Sequence, residues 1–270
     1  MSFAADTAVT AASAASNTSE TGGPTRYEGQ IHEGWDIVGN TNGGVTMSML
    51  ARAALAHSGR PDVISVSAHF LAPGTPGPVT VDVEPIKDGR RFATSRVDLA
   101  NADRTMLSGT IITGNLDDGE GPELITASAP EIAPPDQCIR SVSNDPFPPP
   151  FVDRIDQRVD PTTAWGTKPG PFVRGWMRLL DDEPLDTVAL VLASDSMAPT
   201  VFNTHLRPSW VPTVQMTIHI RNRPTTEWLL LDSHTRFVTG GMFEVDNTIF
   251  DQQGTILAHS RQLQLLGLAH

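Results

Sequence analysis

The chain has one cysteine, two lysines and no long apolar run. A single cysteine, Cys138, cannot form an intrachain disulfide, and this fits a reducing compartment such as the cytoplasm. Cys138 lies in a proline-rich stretch without a nearby histidine in sequence, which favours an unreactive thiol over a nucleophile. No uninterrupted apolar segment approaches the ~20 residues that a membrane-spanning helix needs. We therefore expect no membrane span.

Positive charge is also scarce. A formal net charge of −12, from 31 acidic and 19 basic residues, argues against nucleic acid as a partner, because phosphate backbones need a clustered basic surface. P-loop, dinucleotide-binding, HExxH and GxSxG motifs are missing, and the histidines lack the spacing of a metal site. We expect no metal and no organic cofactor. Residues 1–26 have neither a basic start nor an apolar core, so we predict a disordered tail rather than a secretory signal.

The remaining sequence divides into two similar halves. In residues 27–116, Asn42-Gly43-Gly44 opens a helical segment that Gly59 and Pro61 close, and four strand-like runs separated by turn residues follow. They predict an antiparallel meander. Residues 117–150 are acidic and proline-rich and are predicted to form a linker. Residues 151–270 repeat the order of strands, one helix and four strands.

The two halves superimpose at one constant offset. It places His69 on His219, Val79 and Val81 on Leu229 and Leu231, and Thr105-Met106-Leu107 on Thr255-Ile256-Leu257. A helix followed by one antiparallel sheet implies that the sheet wraps the helix, since neither element can bury its apolar side alone. We predict an α+β fold made of two such units.

One carboxylate interrupts this pattern. Leu185, Val188, Leu192 and Asp195 share one stripe of the second predicted helix, so an acidic side chain falls on a core-facing surface. Such a group is costly unless it is hydrogen-bonded or functional. Asp195 could be a helix-end residue tied to a neighbouring Ser or Arg, or part of a site.

Several ordered motifs carry a family resemblance. NGGVTMSMLARAAL and SAHFLAPGTPGPVTVDVEPIKDGRRF in the first half, and LASD, EWLLLDSHT, TGGMF and LAHSRQ in the second, resemble type II acyl-CoA thioesterases. The resemblance implies a double hotdog fold and hydrolysis of fatty acyl-CoA to free acid and CoA. It also implies that water is activated directly by an Asp, a Thr and a Gln, here Asp195, Thr235 and Gln262.

The chemistry of these side chains suits that role. A carboxylate can accept a proton from water, while a hydroxyl and an amide can hold the same water by donating and accepting hydrogen bonds. When the halves are aligned at the constant offset, Pro85 occupies the position of Thr235 and Ile112 that of Gln262. The first half therefore lacks this set of polar side chains. We predict one active site per chain, in residues 151–270.

Other assignments stay open. Gly43 and Gly44 could bind the substrate oxyanion at a helix N-terminus, or could simply permit a tight helix entrance. The acyl chain would occupy an apolar channel between the halves, for which Trp35, Trp165, Trp176 and Met47 are candidate linings. The chain could form a homo-oligomer.

One alternative function is an acyl-CoA-binding or scaffold protein without turnover. An enoyl-CoA hydratase is less favoured. Such enzymes have a histidine five residues after the Asp, and this chain has Thr200 at that position.

Overall fold

The computed structural model describes residues 2–12, 23–102, 104–119, 121–144, 147–180, 182–206 and 208–268. The α-helices are α1 (Phe3–Asp6), α2 (Gly43–Ser58) and α3 (Thr187–Ser194). The strands of the first half are β1 (Val9–Ala11), β2 (Thr25–Ile31), β3 (Asp36–Ile37), β4 (Asn40–Thr41), β5 (Asp62–Phe70), β6 (Gly77–Asp88), β7 (Phe92–Asn101) and β8 (Arg104–Gly114). The later strands are β9 (Ile139–Arg140), β10 (Ile155–Val159), β11 (Phe172–Leu179), β12 (Pro208–Trp210), β13 (Thr213–Ile220), β14 (Leu229–His234), β15 (Val238–Thr239), β16 (Met242–Phe250), β17 (Ile256–Leu265) and β18 (Gly267–Leu268).

One large antiparallel sheet runs through both halves. Its order is β2-β6-β7-β8-β5 in the first half and, continuing from β5, β13-β17-β16-β14-β11 in the second. The two orders mirror each other about the β5–β13 pair, which confirms the predicted repeat of elements. The predicted meander is correct for β6, β7 and β8. It is wrong for β5, which pairs with β8 and not with β6. After α2 the chain enters the sheet beside β8, at the opposite end of the first-half strand order from β2.

The β5–β13 seam has an internal twofold relation. Ser67 pairs with Thr217, the residue 150 positions later, and His69 pairs with Gln215. His69 and His219 are also 150 positions apart, and each lies two positions after its half's member of the Ser67–Thr217 pair. The pairing of β5 with β13 is therefore symmetric about that pair. The Ser67 and Thr217 hydroxyls lie 3.1 Å apart across this point. The offset found in the sequence is therefore a real structural symmetry.

Helix α2 forms where the sequence predicts it. Asn42 caps its first turn by accepting a hydrogen bond from the Val45 N–H at 3.1 Å, and Gly59 ends it in the left-handed conformation at φ 65°. Helix α3 is shorter, and all eight of its residues are buried, which explains why it is apolar around its whole circumference. Both helices pack into the same core under the sheet, so the fold is the predicted double hotdog.

The N-terminal prediction needs correction. The sequence predicts disorder for residues 1–26, but residues 2–12 include α1 and β1, and β1 pairs with β2. Phe3 is buried against Trp35, and the Trp35 indole N–H donates to Asp6 at 2.9 Å. Two backbone N–H groups of α1 also bond to Glu183. These contacts give the segment enough burial to be ordered; residues 13–22 lie outside the described part of the chain.

The predicted linker has few regular elements and packs on the outside of the second half. The Trp176 indole N–H donates to the Ala133 carbonyl at 2.8 Å, and Cys138 packs beside the same tryptophan cluster. Burial raises the pKa of the Cys138 thiol to about 11, as expected for an unreactive thiol. No helix in the described residues combines the length and apolar character needed to span a bilayer.

Candidate active site

Asp195 lies where the two helices meet. It is the C-terminal cap of α3, and its Oδ2 accepts a hydrogen bond from the Gly44 N–H of α2 at 2.9 Å. Asn42, which is fully buried, donates from Nδ2 to the Asp195 carbonyl at 3.0 Å and to Oδ2 at 3.3 Å. The N-terminus of a helix stabilises negative charge, so α2 of the first half holds the carboxylate of the second. This explains how the apolar stripe can end in an acid.

Two glycines make this approach close enough. A Cβ on Gly44 would lie 2.9 Å from the Leu192 carbonyl oxygen, and one on Gly43 would lie 2.9 Å from Asp195 Oδ2. Side chains at either position would push α2 away from α3 or from the carboxylate. The crossing of the helices therefore requires Gly44, and the position of the carboxylate requires Gly43.

The surroundings leave Asp195 suited to accept a proton. Removal from bulk water raises the pKa of Asp195 to about 6, while the hydrogen bonds from Gln262, Gly44 and Gly43 hold it lower than burial alone would. A carboxyl with this pKa is mostly ionised at neutral pH, yet it is a stronger base than an ordinary aspartate.

Gln262 and Thr213 complete a polar chain with this acid. Gln262 Nε2 donates to Asp195 Oδ1 at 2.8 Å and to Thr213 Oγ1 at 2.5 Å. Both amide protons are then used, and Gln262 Oε1 has no hydrogen bond from the described residues. Thr213 Oγ1 also faces the amide of Gln264, so the Thr213 hydroxyl accepts and keeps its own proton available.

The structure brings Asp195 and Gln262 together as predicted, but it does not bring Thr235 to them. Thr235 follows the end of β14, and its hydroxyl donates to the Glu244 carbonyl at 2.7 Å and lies 2.7 Å from Thr200 Oγ1. Thr213 occupies the position predicted for Thr235. Its inward orientation depends on a β-bulge between Thr213 and Gln215, which shifts the register against β17.

The structure bears on the oxyanion-binding role predicted for Gly43 and Gly44. The N–H of Gly44 is already bonded to Asp195, so it is not free for a substrate oxyanion in this arrangement. The Gly43 N–H is also directed at Asp195, but Gly43 lines the cavity described next. For Gly43 we therefore retain as a proposal a contact with the substrate, without an oxyanion role for its N–H.

A cavity of about 440 Å³ opens in front of Asp195, Thr213 and Gln262. Its walls are mainly apolar and come from the first half, the linker and the second half; they include Phe70, Leu107, Phe147, Phe151, Val173 and Phe202. None of the described lining residues is Lys or Arg. Among the proposed channel residues Trp165 lines this cavity, whereas Trp35, Trp176 and Met47 pack elsewhere. The described residues contain no cluster of His, Cys, Asp or Glu arranged to hold a metal.

A sheet wrapped around two central helices, with a polar site at the helix junction, defines a double hotdog protein. Family models match both halves: the acyl-CoA thioesterase N-terminal domain at residues 31–114 and the acyl-CoA thioesterase C-terminal domain at residues 130–266. The chain belongs to the acyl-CoA thioesterase family.

Known proteins resemble the whole chain. A candidate thioesterase II from Thermobifida fusca is 31% identical and aligns over 99% of this chain and 98% of its own, with a TM-score of 0.85. A hot dog protein of unknown function from Alicyclobacillus acidocaldarius has the same TM-score at 22% identity, over 99% and 98% of the two chains, and shows the fold. An uncharacterized protein of Mycobacterium tuberculosis is 26% identical over 89% of this chain and 90% of its own.

Proposed function

We propose that the protein hydrolyses fatty acyl-CoA to the free acid and CoA, with Asp195 as the general base. The observation that carries the proposal is the 2.8 Å hydrogen bond between Gln262 and Asp195 at the wall of an apolar cavity. A concave apolar site with a few convergent polar groups suits a long acyl chain attached to a reactive carbonyl. Because none of the described residues that line the cavity is Lys or Arg, the CoA phosphates would lie outside it.

The proposed reaction is direct attack by water. Asp195 accepts one proton of the water while Gln262 Oε1 and the Thr213 hydroxyl orient the molecule, and the water oxygen bonds to the thioester carbon. The tetrahedral intermediate then expels the CoA thiolate by breaking the carbon–sulfur bond. The proton held by Asp195 passes to that thiolate, which regenerates the carboxylate. No covalent enzyme intermediate is required.

The test is thiol release from acyl-CoAs of increasing chain length. Asp195→Asn keeps the shape of the side chain but removes the base, so we expect kcat to fall at least about a hundredfold. Asp136→Asn, an exposed linker change of the same type, should leave kcat unchanged. If the unaltered chain binds acyl-CoA in a calorimeter but releases no thiol, the acyl-CoA-binding alternative replaces this proposal.

A further inference from the structure

Gln264 is a buried amide on the cavity wall that the proposed reaction does not use. It lies on β17 two residues after Gln262, so both side chains project from the same face of the strand. The residue is only 4% exposed, and its Nε2 is 3.5 Å from Thr213 Oγ1. Its Oε1 has no hydrogen-bond partner among the described residues.

Such a group is unusual in a folded protein. Buried polar atoms are nearly always hydrogen-bonded, because an unpaired one forfeits its bonds to water. Turning the amide over would not remove the problem, since the other end would then face Thr213 and the nitrogen would be unpaired. The fold therefore positions an amide with unused hydrogen-bonding capacity on a wall that is otherwise mainly apolar.

We propose that Gln264 is a specificity-determining residue that accepts a hydrogen bond from a donor group of the thioester substrate. This inference rests on the proposed function. Gln262 and Gln264 share the Thr213 hydroxyl, so the donor must lie close to the reacting carbonyl. Two parts of a substrate place a donor there: a hydroxyl on the acyl chain near the thioester, or the pantetheine amide nearest the sulfur. The methylene groups of a plain acyl chain cannot supply one.

The test is Gln264→Met, which keeps the length of the side chain and removes its hydrogen bonds. Kinetics are compared on three substrates with the same acyl length: the plain acyl-CoA, the 3-hydroxyacyl-CoA, and the S-propyl thioester, which has no amide. A bond made equally in the ground and transition states affects KM alone. We expect KM to rise about tenfold for substrates that carry the donor, with kcat unchanged.

The pattern identifies the source of the donor. A rise confined to the 3-hydroxyacyl-CoA assigns the acyl hydroxyl, and an equal rise for both CoA esters but not the S-propyl thioester assigns the pantetheine amide. An equal effect on all three substrates, or no effect on any, would overturn the proposal. Gln253→Met, the same change at an exposed site, should alter none of the three.

A stability measurement separates recognition from a structural role. Replacing an unpaired buried amide by an apolar group of similar shape should leave the melting temperature unchanged or raise it. A lower melting temperature would mean that Gln264 supports the fold. Thiol release by the unaltered chain with normal Gln264→Met kinetics contradicts only this inference. Absence of thiol release by the unaltered chain contradicts the proposed function and this inference together.

Discussion

At the scale of single residues, Asp195 has opposing requirements for stability and for chemistry. Burial next to an apolar cavity disfavours its charge, and the N–H groups at the start of α2 only partly compensate, so the pKa of Asp195 rises to about 6. The same shift keeps Asp195 basic enough to accept a proton from water near neutral pH. The burial that disfavours the charge of Asp195 is thus the same feature that suits it to its proposed role as the base.

This shift predicts the pH dependence of activity. A general base acts only when it is ionised, so kcat/KM should rise as the pH increases through about 6 and then level off. Measuring thiol release between pH 4.5 and 8 checks this. A flat profile across the range would rule out Asp195 as the base.

The contribution of the same carboxyl to the stability of the protein should follow the opposite trend with pH. Its folded pKa is raised above the ordinary value of 3.8, so its stabilising contribution is complete below that value and is lost as the pH rises through about 6. Asp195→Asn cannot titrate. The free energy of unfolding of the unaltered chain, relative to this variant, should therefore decrease between pH 4 and pH 7 in denaturant titrations.

Thr213 shows where residue-level prediction from the sequence ends. The family resemblance implied that Asp195 and Gln262 lie together, and they are hydrogen-bonded, but it gave the hydroxyl to Thr235. Strict alternation along β13 would direct Met216 and Ile218 inward and Thr213 outward; the bulge reverses Thr213. A bulge depends on the pairing with β17, and no local motif in the sequence marks it.

Two matched substitutions decide between these threonines. Thr213→Val removes the hydroxyl that bonds Gln262, so we expect kcat to fall about tenfold or more, and Thr213→Ser should restore most of it. Thr235→Val removes a hydroxyl whose partners among the described residues are Thr200 and the Glu244 carbonyl, and it should leave kcat near normal. Steady-state kinetics on one good acyl-CoA are sufficient. The reverse result would return Thr235 to the site.

At the scale of elements, most helices and strands were predictable because their signals are local. The Asn42 cap, the Gly59 terminator and the alternating runs of β6, β7 and β8 depend only on neighbouring residues. The N-terminal α1 and β1 were missed for the converse reason. Their order depends on distant partners, Trp35 and Glu183, that the sequence does not identify.

The crossing of α2 and α3 gives an element-scale prediction. Gly44→Ala would place a methyl group 2.9 Å from the Leu192 carbonyl oxygen, which is backbone and cannot rotate away. We expect a loss of about 1–3 kcal/mol in unfolding free energy. The Gly44 N–H would also move from Asp195, so kcat should fall. Gly119→Ala, in an exposed turn, is the control; equal effects in urea unfolding would show that the helices do not require Gly44.

At the scale of the whole molecule, the site is asymmetric although the fold is nearly symmetric. The register of β5 and β13 relates the halves by a twofold, yet only the second half supplies Asp195, Gln262 and Thr213. The first half supplies Asn42 and the N-terminus of α2, which hold the carboxylate. Each half therefore provides a different part of one site, so the proposed activity should require both halves.

An ion pair near the end of the seam ties the halves together. Arg223, in the second half, donates to Asp62 of β5 at 2.8 and 2.5 Å and to Asp117 at 2.7 Å. The Asp62 side chain is 3% exposed, whereas the Asp117 side chain is 72% exposed. Contacts to an exposed carboxylate contribute little, so the Asp62 contact dominates.

Arg223→Ala should therefore weaken the whole molecule. The substitution leaves Asp62 buried without its cation, and the Leu116 N–H is then the remaining donor to its side chain among the described residues. This predicts a loss of about 3 kcal/mol in unfolding free energy. Adding Asp62→Asn should recover part of that loss, because no buried charge then remains unpaired. Arg26→Ala is the matched control, because the ion pair of Arg26 with Asp82 is similarly short at 2.6 Å but half-exposed. Urea titration should show that this variant loses at most ~1 kcal/mol of unfolding free energy. If Arg223→Ala costs no more than Arg26→Ala, the seam is held by strand pairing and core packing alone.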